Sequence, residues 1–316
     1  MQMKKINILL ILSILSIVAK SQIIELKRYL IPSPKEITIK NENSEIIVNK
    51  FNSFFKKIKQ TNFIGKIPTI RFLYSISEFE TRVDSSLTRN DEYILEITNR
   101  KISITGKTAA AVFYGKQTLL QIIEYSANSD LLLPCLNIHD YADFTRRGFM
   151  LDISRDKVPK METLFMIIDK LSSWKINEFQ LYTEHTFAYK NHSIVWKEYS
   201  PMTPEEIKQL DNYCKERFID LVPNQNSFGH MERWLEHDEY LDLAECPDYC
   251  NTVWGPMKRS SLNPVNPRSF ELLQELYAEL YNLIEEHKRV WVYRNRVGGL
   301  KQSASKLEEV LEYYKQ

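Results

Sequence analysis

The chain has 316 residues, enough for one large domain or two ordinary ones with a sizeable core. Its 42 basic and 41 acidic residues leave a formal charge of +1, without the basic excess of a nucleic-acid-binding protein, so no nucleic acid is expected as a partner.

The first 21 residues, MQMKKINILLILSILSIVAKS, place Lys4 and Lys5 ahead of an apolar run from Ile6 to Val18, with Ala19 and Ser21 as small residues at a cleavage site. This is the pattern of a signal peptide and is too short for a membrane span. It predicts a periplasmic or secreted protein with no integral membrane segment after cleavage.

Residues 22–142 read as a mixed module. Strand-like runs occur at 36–40 (EITIK), 69–76 (TIRFLYSI), 92–98 (EYILEIT) and 101–106 (KISITG). A helix follows over 107–125 with Thr108 placed to cap it, and 133–144 reads as a connecting strand and loop.

From residue 147 the rhythm becomes strand, helix, strand. The run GFMLDIS (148–154) predicts a strand buried on both faces. Met161, Leu164, Phe165, Ile168, Leu171 and Trp174 then recur at helical spacing. A second strand falls at 176–182, and Thr203-Pro204-Glu205-Glu206 opens a helix with a capping box. A third strand spans 218–223, followed by a helix over 269–287, a short strand RVWVY at 289–293 and a last helix from Ser305. Repeated βα units mean a doubly wound sheet or a (β/α)8 barrel, and in either the functional residues sit at the C-terminal ends of the strands.

Three such ends carry polar side chains: Asp152, Ser154 and Arg155; then Thr183, Glu184, His185 and Tyr189; then Asn224, Asn226 and His230. Amides, a carboxylate, histidines and aromatic rings on one rim suit a hydroxyl-rich ligand. Each also has a purely structural alternative. Asp152 and Arg155 would form an ion pair, Glu184 and His185 a solvated loop, and His230 a helix cap. Trp196, Trp234 and Trp254 would serve as packing residues. Cys135, Cys214, Cys246 and Cys250 lack the paired spacing of a zinc site, and Cys246 and Cys250 would suit a short disulfide loop. No metal and no cofactor is expected.

The stretches TGKTAAAVFYGKQTLLQII and LPCLNIHDYADFTRRGFMLDISRDKVPK resemble the domain junction of glycoside hydrolase family 20, the β-N-acetylhexosaminidases. PNQNSFGH resembles that family's third-strand signature, usually Pro-Glu-Ile-Asp-Met-Pro-Gly-His, and SLNPVNPRSFELLQELYAEL is similar as well. The resemblance implies an α/β chain with a signal peptide at 1–21, a small zincin-like α+β domain at 22–142 and a (β/α)8 TIM barrel from 143.

It also implies retaining hydrolysis in which the substrate's acetamido oxygen is the nucleophile, releasing terminal N-acetylhexosamine from a glycan. By this resemblance Arg147 would grip sugar hydroxyls and His230 would support the acid/base site. Asn226, standing where the family has Asp, Asn224 and His185 would line the substrate. Thr183-Glu184-His185 replaces the usual acidic motif of strand two.

The family's catalytic Asp-Glu pair is expected after the 269–287 helix, but residues 287–301 contain no acid. Only about 170 residues follow from Arg147, against ~200–250 for a complete barrel. The expectation is therefore an incomplete barrel, departing from the family over 287–316 and inactive as it stands. The alternatives are a secreted, non-catalytic half-barrel that binds glycans and self-associates through its open edges, and an enzyme using Glu184 as its acid.

Overall fold

The computed structural model describes residues 24–40, 78–128 and 133–284, apart from 249, 253, 254 and 258. The expected leader, the strand at 69–76, Trp254, and the strand and helix after residue 287 lie outside the described residues. The chain forms two compact units, one reaching to Arg147 and including Asp169–Lys175, the other made of Gly148–Ile168 and the chain from Ile176 onward.

In the first unit, β1 (Glu36–Ile39), β2 (Glu78–Val83), β3 (Tyr93–Ile97), β4 (Lys101–Gly106) and β5 (Leu136–Asp140) form one sheet in the order β1-β5-β3-β4-β2. The β2–β4 pair is parallel and the others are antiparallel. Strict alternation in β3 and β4 buries Tyr93, Leu95, Ile97, Ile102 and Ile104 on one face, against α1 (Ala109–Asn128). Thr108 caps α1 by accepting the Ala111 N–H at its hydroxyl, 3.1 Å away. Gly115 lets the helix approach closely, since a Cβ there would lie 2.5 Å from Ile104 Cγ2.

A buried polar knot ties this unit together. Asp140 Oδ2 accepts from Lys175 Nζ at 2.9 Å and from Tyr93 OH at 2.7 Å, and Lys175 and Asp140 are almost fully enclosed. Burial pushes the Lys175 pKa down, while the Asp140 carboxylate opposes that shift.

In the second unit, β6 (Gly148–Asp152), β7 (Glu178–Thr183) and β8 (Asp220–Gln225) run parallel in the order β6-β7-β8. The chain passes from β6 to β7 through α2 (Met161–Ser173). It reaches β8 through the short α3 (Ser193–Trp196) and α4 (Pro204–Lys215). Thr203 and Glu206 form the expected capping box, with Thr203 Oγ1 accepting from Glu206 N at 3.2 Å and Glu206 Oε2 from Thr203 N at 2.8 Å.

After β8 come α5 (Glu232–Leu235), a 3-10 turn (Asp238–Leu243), the small hairpin of β9 (Cys250–Thr252) and β10 (Gly255–Met257), and α6 (Pro267–Leu283). The last helix starts two residues earlier than its apolar pattern suggests, because Asn266 accepts from Arg268 N at 3.0 Å and Pro267 occupies the first turn. Cys246 is disulfide-bonded, whereas Cys135 and Cys214 are buried thiols outside any disulfide.

The row Leu151, Leu181 and Pro223 is in register across the three strands, and so is the row Asp152, Tyr182 and Asn224. Leu181, Leu221 and Pro223 line one small cavity with Ile207 of α4 and Leu280 of α6, while Asn224 meets Gln180 and Met150 on the opposite face. Full burial of Leu210, Leu276 and Leu280 contributes ~1.5–3 kcal/mol each to holding these helices on β8.

One expectation is corrected. β6 is not buried on both faces: Phe149 is 40% and Met150 48% exposed. It is an edge strand among the described residues, so nothing described covers its outer side.

Candidate active site

The period-2 alternation that sends Leu181 and Pro223 toward the helices sends Tyr182, Glu184, Asn224 and Asn226 to the other face. These join Asp152, Ser154 and Arg155 at the C-terminal end of β6. The strand ends are braced by backbone bonds from Ile153 N to Tyr182 O at 3.1 Å and from Asn226 N to Thr183 O at 2.9 Å.

Glu184 is the centre of the group. Its Oε1 accepts from Tyr182 OH at 2.7 Å and from Arg155 NH2 at 3.1 Å, and His230 Nδ1 lies 3.8 Å away. Arg155 also pairs through NH1 with Asp152, and its guanidinium lies over the Tyr182 ring. Among the described residues, Glu184 Oε2 has no hydrogen-bond partner. Burial pushes the Glu184 pKa up; the Tyr182 hydroxyl, Arg155 and His230 act against that, and the net shift is upward. His230 sits at φ +55, a left-handed conformation costly for a residue with a Cβ.

The loop backbone is held from behind. Glu184 N donates to Ser154 Oγ at 2.7 Å, and Glu184 O accepts from Trp234 Nε1 at 2.7 Å and Gln225 Nε2 at 3.1 Å. Gln225 points away from the open face, where Tyr189 OH donates to its Oε1 at 2.7 Å. Ser227 pairs with the hydroxyl of Tyr277 on α6. The polar run after the third strand therefore divides its labour: Gln225 and Ser227 brace the core, while Asn224 and Asn226 face the site.

Asn224 Nδ2 donates to Gln180 Oε1 at 3.2 Å, and its buried Oδ1 has no partner among the described residues. His185 is buried with its ring edge against Tyr199, 4.5 Å between centroids, and with Nδ1 unpartnered among the described residues. Burial first, and then Arg233, push its pKa down to about 4, so the imidazole is neutral.

Of the residues singled out in the sequence, Glu184, His230, Asn224 and Asn226 come together here, and His185 lies behind them. Arg147 lies elsewhere. It precedes β6, at the end of that strand opposite Asp152. Its guanidinium donates to Lys175 O at 2.7 Å, Phe144 O at 2.7 Å and Asp91 Oδ2 at 3.2 Å. Arg155 is the arginine the fold brings to Glu184, and Tyr182, at the end of the strand expected over 176–182, is a site residue that the sequence does not single out. Trp234 is core, as its structural alternative held, and also donates to the site backbone. Among the described residues no group of three or more His, Cys, Asp or Glu side chains is placed to hold a metal ion.

Two domains of one family match the chain: Glycosyl hydrolase family 20, catalytic domain, over residues 144–293, and Glycosyl hydrolase family 20, domain 2, over residues 54–141. A beta-hexosaminidase of Porphyromonas gingivalis is 30% identical over 201 residues, covering 55% of this chain and 25% of that protein. Beta-hexosaminidase subunit A1 of Dictyostelium discoideum is 26% identical over 219 residues, covering 66% of this chain and 40% of that protein. The chain thus spans well under half the length of these relatives.

The structure of the GH20 beta-N-acetylhexosaminidase from Streptomyces coelicolor superposes with a TM-score of 0.70 at 16% identity, over 92% of this chain and 65% of that one. That protein shares the fold, a TIM-barrel type preceded by an N-terminal domain, of which this chain shows the small mixed domain and a partial parallel sheet. With both family domains matched in order across residues 54–293, the chain belongs to glycosyl hydrolase family 20.

Proposed function

We propose that this protein is of the exo-acting β-N-acetylhexosaminidase type, and that the strand ends of β6, β7 and β8 form its site for a terminal N-acetylhexosamine. The observation that carries this reading is the convergence of Arg155, Tyr182 and His230 on one oxygen of the buried Glu184. Such a rim presents fixed donors and acceptors to sugar hydroxyls, with Arg155 rather than Arg147 as the charged hydrogen-bond donor to them. Asn224 supplies a further acceptor. His185, neutral at physiological pH, shapes the wall without adding charge.

In substrate-assisted retaining hydrolysis the acetamido oxygen of the sugar attacks its own anomeric carbon, so the protein supplies only the acid/base and the positioning of the acetamido group. Glu184 here accepts hydrogen bonds from Tyr182 and Arg155, with His230 3.8 Å away, which makes it a better anchor for the ligand than a proton donor. No acid occurs between residues 287 and 301 to supply the pair that would do the chemistry. We therefore expect residues 1–316 to bind the sugar and not to turn it over. The test is an assay with an aryl N-acetyl-β-glucosaminide beside a binding titration with N-acetylglucosamine. Binding without turnover supports the reading. Turnover abolished by Glu184→Gln would instead assign the acid to Glu184.

A second reading, a non-catalytic glycan-binding half-barrel that self-associates, is favoured by the exposed Phe149 and Met150 on the edge strand β6. Sedimentation at several concentrations tests it. We also propose export to the periplasm or beyond, on the strength of Lys4-Lys5 and the apolar run that follows. Among the described residues no helix is long and apolar enough to cross a membrane.

A further inference from the structure

Among the partners of Glu184 Oε1, Tyr182 stands out because its own hydroxyl is engaged from both sides. It donates to Glu184 Oε1 at 2.7 Å and accepts from Asn226 Nδ2 at 2.6 Å. A phenol has one proton, so its direction is a question of which neighbour can accept it.

Asn226 answers that question. Its Oδ1 accepts the Ser227 backbone N–H at 2.9 Å, and a backbone N–H can only donate. The amide therefore cannot flip without setting its NH2 against that N–H, and Nδ2 must face Tyr182. The Tyr182 oxygen is then the acceptor from Asn226, and its proton points to Glu184 Oε1, 2.7 Å away. All three side chains are buried, where an unmatched donor or acceptor is costly.

We propose that Asn226 and Tyr182 are positioning residues. A one-way hydrogen-bond chain runs from the Ser227 backbone N–H through Asn226 and Tyr182, delivers a permanent donor to Glu184 Oε1, and leaves Oε2 as the acceptor for a ligand. The ligand part rests on the sugar-binding reading above; the chain itself does not. The chain also gives a reason for an amide at residue 226, where the family signature has an acid. An Asp there would have no N–H to offer, and the Tyr182 proton would be contested between two carboxylates. Among the described residues, the other charged groups facing Glu184 are Arg155, paired in turn with Asp152, from the end of β6, and His230 and Glu232 after β8.

The experiment is a double-mutant cycle read at Glu184 itself. The full chain, with 13C-labelled glutamate, is titrated by NMR as wild type, Tyr182→Phe, Asn226→Asp and the double variant. Tyr182→Phe removes the donor and should raise the Glu184 midpoint by about one pH unit, a tenfold gain in proton affinity. Asn226→Asp alone should raise it by a similar amount. In the Tyr182→Phe background, Asn226→Asp should move the midpoint less than half as far, because the connection is already cut.

An equal shift in both backgrounds would mean direct charge repulsion, and no shift in Tyr182→Phe would mean an idle hydroxyl. Either result overturns the proposal. If Asn226→Asp does not fold, Asn226→Ser, whose hydroxyl is too short to reach Tyr182, replaces it under the same criterion. No substrate enters the measurement, so its failure and the failure of the sugar-binding reading are separate outcomes.

Discussion

Arg155 joins the ends of two strands, its NH2 reaching Glu184 Oε1 at 3.1 Å on the β7 side while NH1 holds Asp152 on its own. The planar guanidinium makes that bridge, and a lysine cannot bond both carboxylates in the same geometry. Arg155→Lys should therefore weaken N-acetylglucosamine binding roughly tenfold, about 1.4 kcal/mol, with unchanged stability since the side chain is half exposed. Arg147→Lys should act differently, lowering stability because it breaks bonds to Phe144 O and Lys175 O. Paired binding titrations and urea melts separate the two arginines.

Which arginine serves the site was legible in principle. Parallel strands carry function at their C-terminal ends, and Arg155 follows β6 whereas Arg147 precedes it. The family likeness drew attention to Arg147 instead. The alternation of Leu181 and Pro223 with Tyr182, Glu184 and Asn224 was equally present in the sequence and sorts the two faces correctly.

Other features were not legible for physical reasons. β2, with the sequence EFETRV, has no apolar pattern, because among the described residues it is an edge strand held to β4 by backbone bonds, with Phe79 packed on the core. The exposure of β6 could not be read from its apolar run, since burial depends on which neighbours lie beside it.

The buried knot of the first unit predicts an asymmetry. Lys175→Met leaves Asp140 enclosed without its cation and should cost ~3–5 kcal/mol, while Lys175→Met with Asp140→Asn should recover most of that loss. Chemical denaturation of the two variants checks the recovery. Equal destabilisation of both would mean that packing, and not the stranded charge, sets the cost.

Gly115→Ala tests the close approach of α1 to the sheet. Alanine is the better helix former by ~1 kcal/mol, but its Cβ would meet Ile104 Cγ2 at 2.5 Å in a core with no room to yield. The clash should win, with net destabilisation of ~1–3 kcal/mol in a urea melt.

His185 should make stability depend on pH in a definite direction. Its folded pKa is pushed down to about 4 from 6.5, so the unfolded chain binds the proton more readily. The contribution is fully present above pH 6.5 and is lost as pH falls toward 4, on the order of 2–3 kcal/mol in all. The difference in unfolding free energy between the wild type and His185→Leu, measured at pH 7 and at pH 4, isolates it. The wild type should lose ground to the variant at the lower pH.

The central claim is that the ends of β6, β7 and β8 bind an N-acetylhexosamine. The most direct measurement is an amide NMR titration of the intact chain with N-acetylglucosamine. Shifts concentrated at Ser154, Arg155, Tyr182, Glu184 and Asn226, and weakened in Arg155→Lys, are the predicted result. Shifts confined to the unit that ends at Arg147, or none at millimolar sugar, would contradict the account.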